Sequence, residues 1–175
     1  MNAGQKLSET KSGAEGKILL IEDEVKLAGA LQMVLSEDGY EVDVATSVRS
    51  ALDQLHQRNF DLLVVNLCLP DIGGWAFIRK ITREQPDAAV IVTTTNPSVP
   101  SAVEAMKLGV EEYLPKPFGG DEFKTIVMST LKKQRGSRST IHPGGKESQA
   151  GALIQKWEVL AVLNRAAEDE NSLKR

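Results

Sequence analysis

Short apolar runs alternate along the chain with stretches whose apolar residues recur every three or four positions. Lys17-Ile-Leu-Leu-Ile21, the run Leu62 to Val65 and Ala89-Val-Ile-Val-Thr93 are too short for buried helices, and turn residues bound them, so they predict buried strands. Tyr40-Glu-Val-Asp-Val44 alternates instead, the pattern of a strand with one wet side, and a short fifth strand is expected over 112–114. Helical spacing fills the intervals. Leu27, Leu31, Val34 and Leu35 share one face, as do Val48, Ala51, Leu52 and Leu55 behind the N-cap candidate Ser47. Trp75, Ile78 and Ile81 form a third face, Val99, Ala102, Val103 and Met106 a fourth, and Phe123, Ile126, Val127 and Leu131 a fifth. Gly39, Pro86 and Gly109 supply stops. Five strands alternating with five helices through short connections imply right-handed crossovers and an α/β fold with a doubly wound parallel sheet. The alternating second strand belongs at an edge, which selects the order 2-1-3-4-5.

That order gathers the C-terminal ends of strands one, three, four and five in one crevice, where open α/β sheets place their chemistry. It delivers Glu22 and Asp23, Asn66, Thr94 and Lys116. Clustered acidic oxygens with a few waters suit Mg²⁺, and a hydroxyl and an ammonium suit anionic oxygens. The stretch Asp61-Leu-Leu-Val-Val-Asn66-Leu-Cys68-Leu-Pro70-Asp71-Ile-Gly-Gly74 resembles the receiver domain of bacterial response regulators, a CheY-like, flavodoxin-like (βα)5 family. With the acidic pair, Thr94, Tyr113 and Lys116-Pro117, the resemblance spans roughly residues 17 to 133.

The resemblance implies roles. Asp23 would be a direct Mg²⁺ ligand, Glu22 an outer one through water, and the backbone carbonyl of Cys68 another direct ligand. Thr94 and Tyr113 would be switch residues, and Lys116 would contact phosphate ahead of a proline that is usually cis. In this family the third strand ends in an aspartate that accepts a phosphoryl group from a histidine kinase. Here Asn66 holds that position, and a carboxamide is too weak a nucleophile to form an acyl phosphate. Weak Mg²⁺ binding is expected, with Lys116 bonding the Asn66 carbonyl oxygen or pairing with Asp23. Glu24 reads as a helix-start acid.

Composition narrows the setting. The chain has 175 residues, 41% hydrophobic and 26% charged, enough for one domain and an appendage, and its net charge of −3 provides no basic field to recruit nucleic acid. A single cysteine, Cys68, precludes an internal disulfide and favours a reducing, cytoplasmic setting; it reads as a small packed hydrophobe. No secretory core or membrane-length apolar run is present, so no membrane association is expected. His56 and His142 lack a partnering motif. Gly119-Gly-Asp-Glu-Phe123 spells the signature of diguanylate cyclases, but it opens the last helix and lacks the domain that family requires.

The expected organisation is a disordered leader over 1–16, a receiver over 17–133, a flexible linker over 134–151 and, over 152–175, an amphipathic helix ending in an acidic tail. Leu153, Ile154, Trp157 and Leu160 line the apolar face of that helix, which should dock on the receiver, self-associate as a homodimer or enter a partner's groove. The stretch is too short for a winged-helix effector, so direct DNA binding is disfavoured. The reading is therefore a non-enzymatic, single-receiver response regulator of two-component (phosphorelay) signalling. It would act as a phosphorylation-independent adapter through contact with a histidine kinase or another signalling protein. The alternatives are a conventional receiver carrying an engineered Asp-to-Asn change at 66, and a flavodoxin-like enzyme or small-ligand binder. The latter would want a Gly-rich phosphate loop where Glu22-Asp23-Glu24 stands.

Overall fold

The computed structural model describes residues 15–70 and 73–139. Ten elements alternate strictly: β1 (Lys17–Ile21), α1 (Val25–Glu37), β2 (Glu41–Ala45), α2 (Val48–Gln57), β3 (Leu62–Asn66), α3 (Gly74–Glu84), β4 (Ala89–Thr94), α4 (Val99–Lys107), β5 (Glu112–Pro115) and α5 (Gly120–Ser139). The strands form one parallel sheet in the order β2-β1-β3-β4-β5, as the hydrophobic pattern predicts.

The apolar runs are uninterrupted because both sheet faces are covered, so alternate residues feed two cores. Leu19, Ile21, Leu63 and Val65 pack with α2, α3 and α4 through Ala51, Leu55, Phe77, Ile81, Ala102 and Ala105. Ile18, Leu20, Leu62 and Val64 pack with α1 and α5 through Ala28, Leu31, Leu35, Phe123, Val127 and Leu131. Each such Leu or Ile, fully withdrawn from water, contributes on the order of 1.5–3 kcal/mol.

The edge strand β2 begins at Glu41, one residue beyond the expected start, and it buries Val42 and Ala45 while Asp43 and Val44 stay half-exposed. Its open side is not left bare. Gln32 of α1 donates through Nε2 to the Val42 carbonyl and Gln54 of α2 to the Val44 carbonyl, each at 3.0 Å. Arg58 meets Glu41 and Asp43 at 2.8 and 3.1 Å and lies 4.9 Å over the Phe60 ring.

Helix ends follow their sequence signals. Ser47 caps α2 by accepting the Ser50 N–H at 3.1 Å, and Gly39 and Gly109 adopt φ of +90° and +81° after α1 and α4. Gly74 is required for another reason: a Cβ there would lie 2.3 Å from the Leu67 carbonyl oxygen, so only glycine lets α3 start this close to the end of β3. The expected linker is shortened, since α5 continues through Ser139 into the 134–151 segment. Lys132, Lys133, Gln134 and Arg135 are good helix formers, Leu131 is buried beneath them, and Gln134 and Arg135 donate to the Asp87 and Glu15 carbonyls. The leader up to residue 14, the turn residues Asp71 and Ile72, and everything from residue 140, including Leu153, Ile154, Trp157 and Leu160, lie outside the described residues.

Candidate functional site

The strand order places the ends of β1, β3, β4 and β5 side by side. Glu22 and Asp23 follow β1, Asn66 closes β3, Thr94 closes β4 and Lys116 follows β5. Asn66 is paired in register with Thr93, and Thr94 with Pro115, so the strand ends lie at one level.

Asn66 is 6% exposed and uses its whole carboxamide. Its Nδ2 donates to Asp23 Oδ1 at 2.8 Å and Glu22 Oε1 at 3.2 Å, while its Oδ1 accepts the Cys68 backbone N–H at 3.1 Å. These partners fix the orientation of the amide. A flip would set its oxygen against two carboxylates and its NH₂ against a backbone donor.

Lys116 departs from expectation. Its Nζ donates to Glu22 Oε2 at 2.6 Å, rather than bonding the Asn66 oxygen or pairing with Asp23. The physical cause is burial: the Glu22 side chain is 2% exposed and that of Lys116 11%, and a carboxylate withdrawn from water requires a close counter-charge, whereas Asp23 is exposed. Lys116-Pro117 is a cis peptide.

The residues expected to hold Mg²⁺ are Glu22, Asp23 and the Cys68 carbonyl. Both Glu22 oxygens and Asp23 Oδ1 already accept N–H groups of this chain, and Asn66 turns its donors, not its oxygen, toward the acidic pair. In this arrangement a divalent cation would have to compete with those N–H donors for the carboxylate oxygens. Among the described residues no three His, Cys, Asp or Glu side chains converge as a ligand set.

Thr94 is fully buried; its Oγ1 accepts the Asn96 N–H at 3.1 Å and lies 3.5 Å from Cys68 Sγ. Cys68 is not the packed hydrophobe its isolation suggested. The chain turning out of β3 sends Leu69 into the core and leaves Cys68 exposed between them. The hydrogen bond with Thr94 holds the Cys68 thiol below its ordinary pKa, partial burial opposes this, and Thr95, whose Oγ1 donates to the sulfur at 3.5 Å, adds to the lowering. Tyr113 stands apart from the polar centre. It is 4% exposed, and its hydroxyl is 2.5 Å from Ser101 Oγ on α4.

Ser101 and Thr95 are the residues the sequence reading missed. Ser101 also pairs with Ser98 in a reciprocal cap at the start of α4, so the Ser-x-x-Ser spacing was the available signal. Gly119 to Phe123 starts α5, with the Phe123 N–H donating to the Gly119 carbonyl and its ring stacked on Phe118 at 5.3 Å, as expected of a helix start. His56 is exposed on α2, and His142 lies outside the described residues.

Comparison with known proteins agrees with this fold. Response regulator ArlR of Staphylococcus haemolyticus is 32% identical over 117 residues, covering 67% of this chain and 53% of that protein. Transcriptional regulatory protein PcoR of Escherichia coli is 30% identical over 125 residues, covering 71% and 55% respectively. The chain thus spans about half the length of these relatives. The crystal structure of a response regulator receiver domain protein from Clostridium thermocellum superposes with a TM-score of 0.63 at 28% identity, over 68% of this chain and 96% of that one. The profile of the response regulator receiver domain matches residues 18–128, from the first buried strand into the last helix, and the chain belongs to that family.

Proposed function

We propose that this chain is a receiver of two-component signalling whose acceptor position is silenced by Asn66 and whose output is protein contact independent of phosphorylation. The observation that carries the reading is the state of residue 66. A phosphoacceptor needs a carboxylate oxygen free to attack phosphorus. The only side-chain oxygen of Asn66 belongs to a neutral amide and accepts the Cys68 N–H, while its nitrogen is committed to Glu22 and Asp23.

The partner is a histidine kinase or another signalling protein, and the contact surface centres on α4 and β5, where Tyr113 is held to Ser101. The amphipathic stretch with Leu153, Ile154, Trp157 and Leu160 is a second contact element, able to pair with a partner or with a second copy. Any Mg²⁺ the chain takes up binds weakly. Intact mass after incubation with Mg²⁺ and a small phosphodonor tests the proposal. The native chain is expected to gain no phosphoryl adduct and the Asn66→Asp variant to gain one. An adduct on the native chain would end the adapter reading.

A further inference from the structure

The polar centre is neutralised from within. Asn66 Nδ2 sits between two carboxylates, 2.8 Å from Asp23 Oδ1 and 3.2 Å from Glu22 Oε1, and Lys116 Nζ takes the second Glu22 oxygen at 2.6 Å. One nitrogen bridging an acidic pair does the geometric work of a bridging cation. The Cys68 N–H, bonded to Asn66 Oδ1 at 3.1 Å, keeps those donors aimed at the acids. A divalent ion entering here would have to displace charge-assisted hydrogen bonds, including one to a carboxylate only 2% exposed.

Charge points the same way. Glu22, Asp23 and Lys116 carry formal charges of −1, −1 and +1, so the centre totals −1 with a neutral residue 66 and would total −2 with an aspartate there. The second total attracts a divalent cation more strongly. We propose that the Asn66 carboxamide, together with Lys116, replaces the metal in this chain, so that its receiver keeps one conformation with or without Mg²⁺ and the choice of residue at 66 sets metal dependence. The inference deepens the silenced-acceptor reading and rests on it.

The test is a Mg²⁺ titration of the full chain, followed by calorimetry and by the thermal unfolding midpoint, with Asn66→Asp and Asn66→Ala alongside. The native chain is expected to show no saturable heat and no shift of its midpoint. Asn66→Asp is expected to bind one Mg²⁺ at least about tenfold more tightly and to gain a saturable rise in midpoint, since one further unit charge in contact with the ion is worth more than that even when screened. Asn66→Ala, which removes both donors and adds no ligand, is expected to unfold earlier without metal and to recover part of the loss with it.

Saturable one-site binding by the native chain, with affinity close to that of Asn66→Asp, would overturn the inference. So would two folded variants that respond to Mg²⁺ no more than the native chain does. A phosphoryl adduct on the native chain would instead remove the silenced-acceptor reading while leaving the titration result standing, and Mg²⁺ binding without an adduct does the reverse.

Discussion

At the scale of single residues, the site depends on pairs that burial makes unequal. Glu22 is the most enclosed charged group of the site, at 2% exposure, and among the described residues Lys116 is the cation paired with it. Lys116→Met is therefore expected to destabilise the domain by about 2–4 kcal/mol, below the full cost of stranding a buried charge because Asn66 still donates to Glu22. Urea unfolding measures this, and adding Glu22→Gln to that variant should return a substantial part of the loss. A double variant no more stable than Lys116→Met would deny the pair its role. Cys68 offers a second reading at this scale. Its exposed thiol is held below its ordinary pKa chiefly by Thr94. For an acid with a lowered folded-state pKa, the thiolate and its stabilisation appear at high pH and are lost as pH falls through the folded value, so this contribution to stability rises with pH. Reactivity should follow the same titration. The pH profile of alkylation is expected to turn over below the ordinary thiol pKa, and Thr94→Val, which keeps shape and removes the hydroxyl, should move it upward. An unmoved profile would separate Thr94 from the thiol.

At the scale of elements, what could be read in advance was what local pattern determines. β1, β3 and β4 announce themselves because both faces of the sheet are covered and their residues have no reason to be polar, and β2 announces its edge by alternating. The extension of α5 was not legible. Gly136, Ser137 and Arg138 read as linker composition, and the helix passes through them beyond anchors, Leu131, Gln134 and Arg135, that touch residues far away in sequence. The guarding of β2 was equally hidden, because Gln32 and Gln54 look like ordinary solvated helix residues until the fold brings both carboxamides onto outward carbonyls. An edge strand with open carbonyls is a template for pairing with another chain. Replacing both glutamines by alanine is expected to cost about 1 kcal/mol per lost bond and to raise light scattering during refolding at high concentration. A double variant that loses stability but gains no tendency to associate would show that the carboxamides stabilise the edge without guarding it.

At the scale of the whole molecule, the polar centre and the α4 surface are joined through β4 and β5. The Lys116 N–H donates to the Thr94 carbonyl at 2.7 Å, Tyr113 pairs in register with Val92, and the Tyr113 hydroxyl reaches Ser101 across the gap to α4. The strand-end residues of this chain of contacts were legible, because topology alone gathers them. Their partners were not, because the partner of Lys116 was decided by which acid is buried, and that of Tyr113 by a serine already used as a helix cap. Of the five helices among the described residues, α4 is held to the core by the smallest side chains, Ala102 and Ala105 being its buried residues, so little apolar contact fixes its position. The Tyr113 to Ser101 bond should then carry an unusual share of that task. Ser101→Ala removes this bond together with the side-chain half of the cap, for a local cost of about 1–2 kcal/mol. Amide hydrogen exchange is expected to quicken by about five- to thirtyfold in α4 while α1, packed through Ala28, Leu31 and Leu35, exchanges as before. Tyr113→Phe leaves the cap intact and should reproduce the smaller part of the effect. Equal acceleration in α1 and α4 would mean that the bond supports the domain as a whole, and the α4 surface would then lose its claim to be separately adjustable.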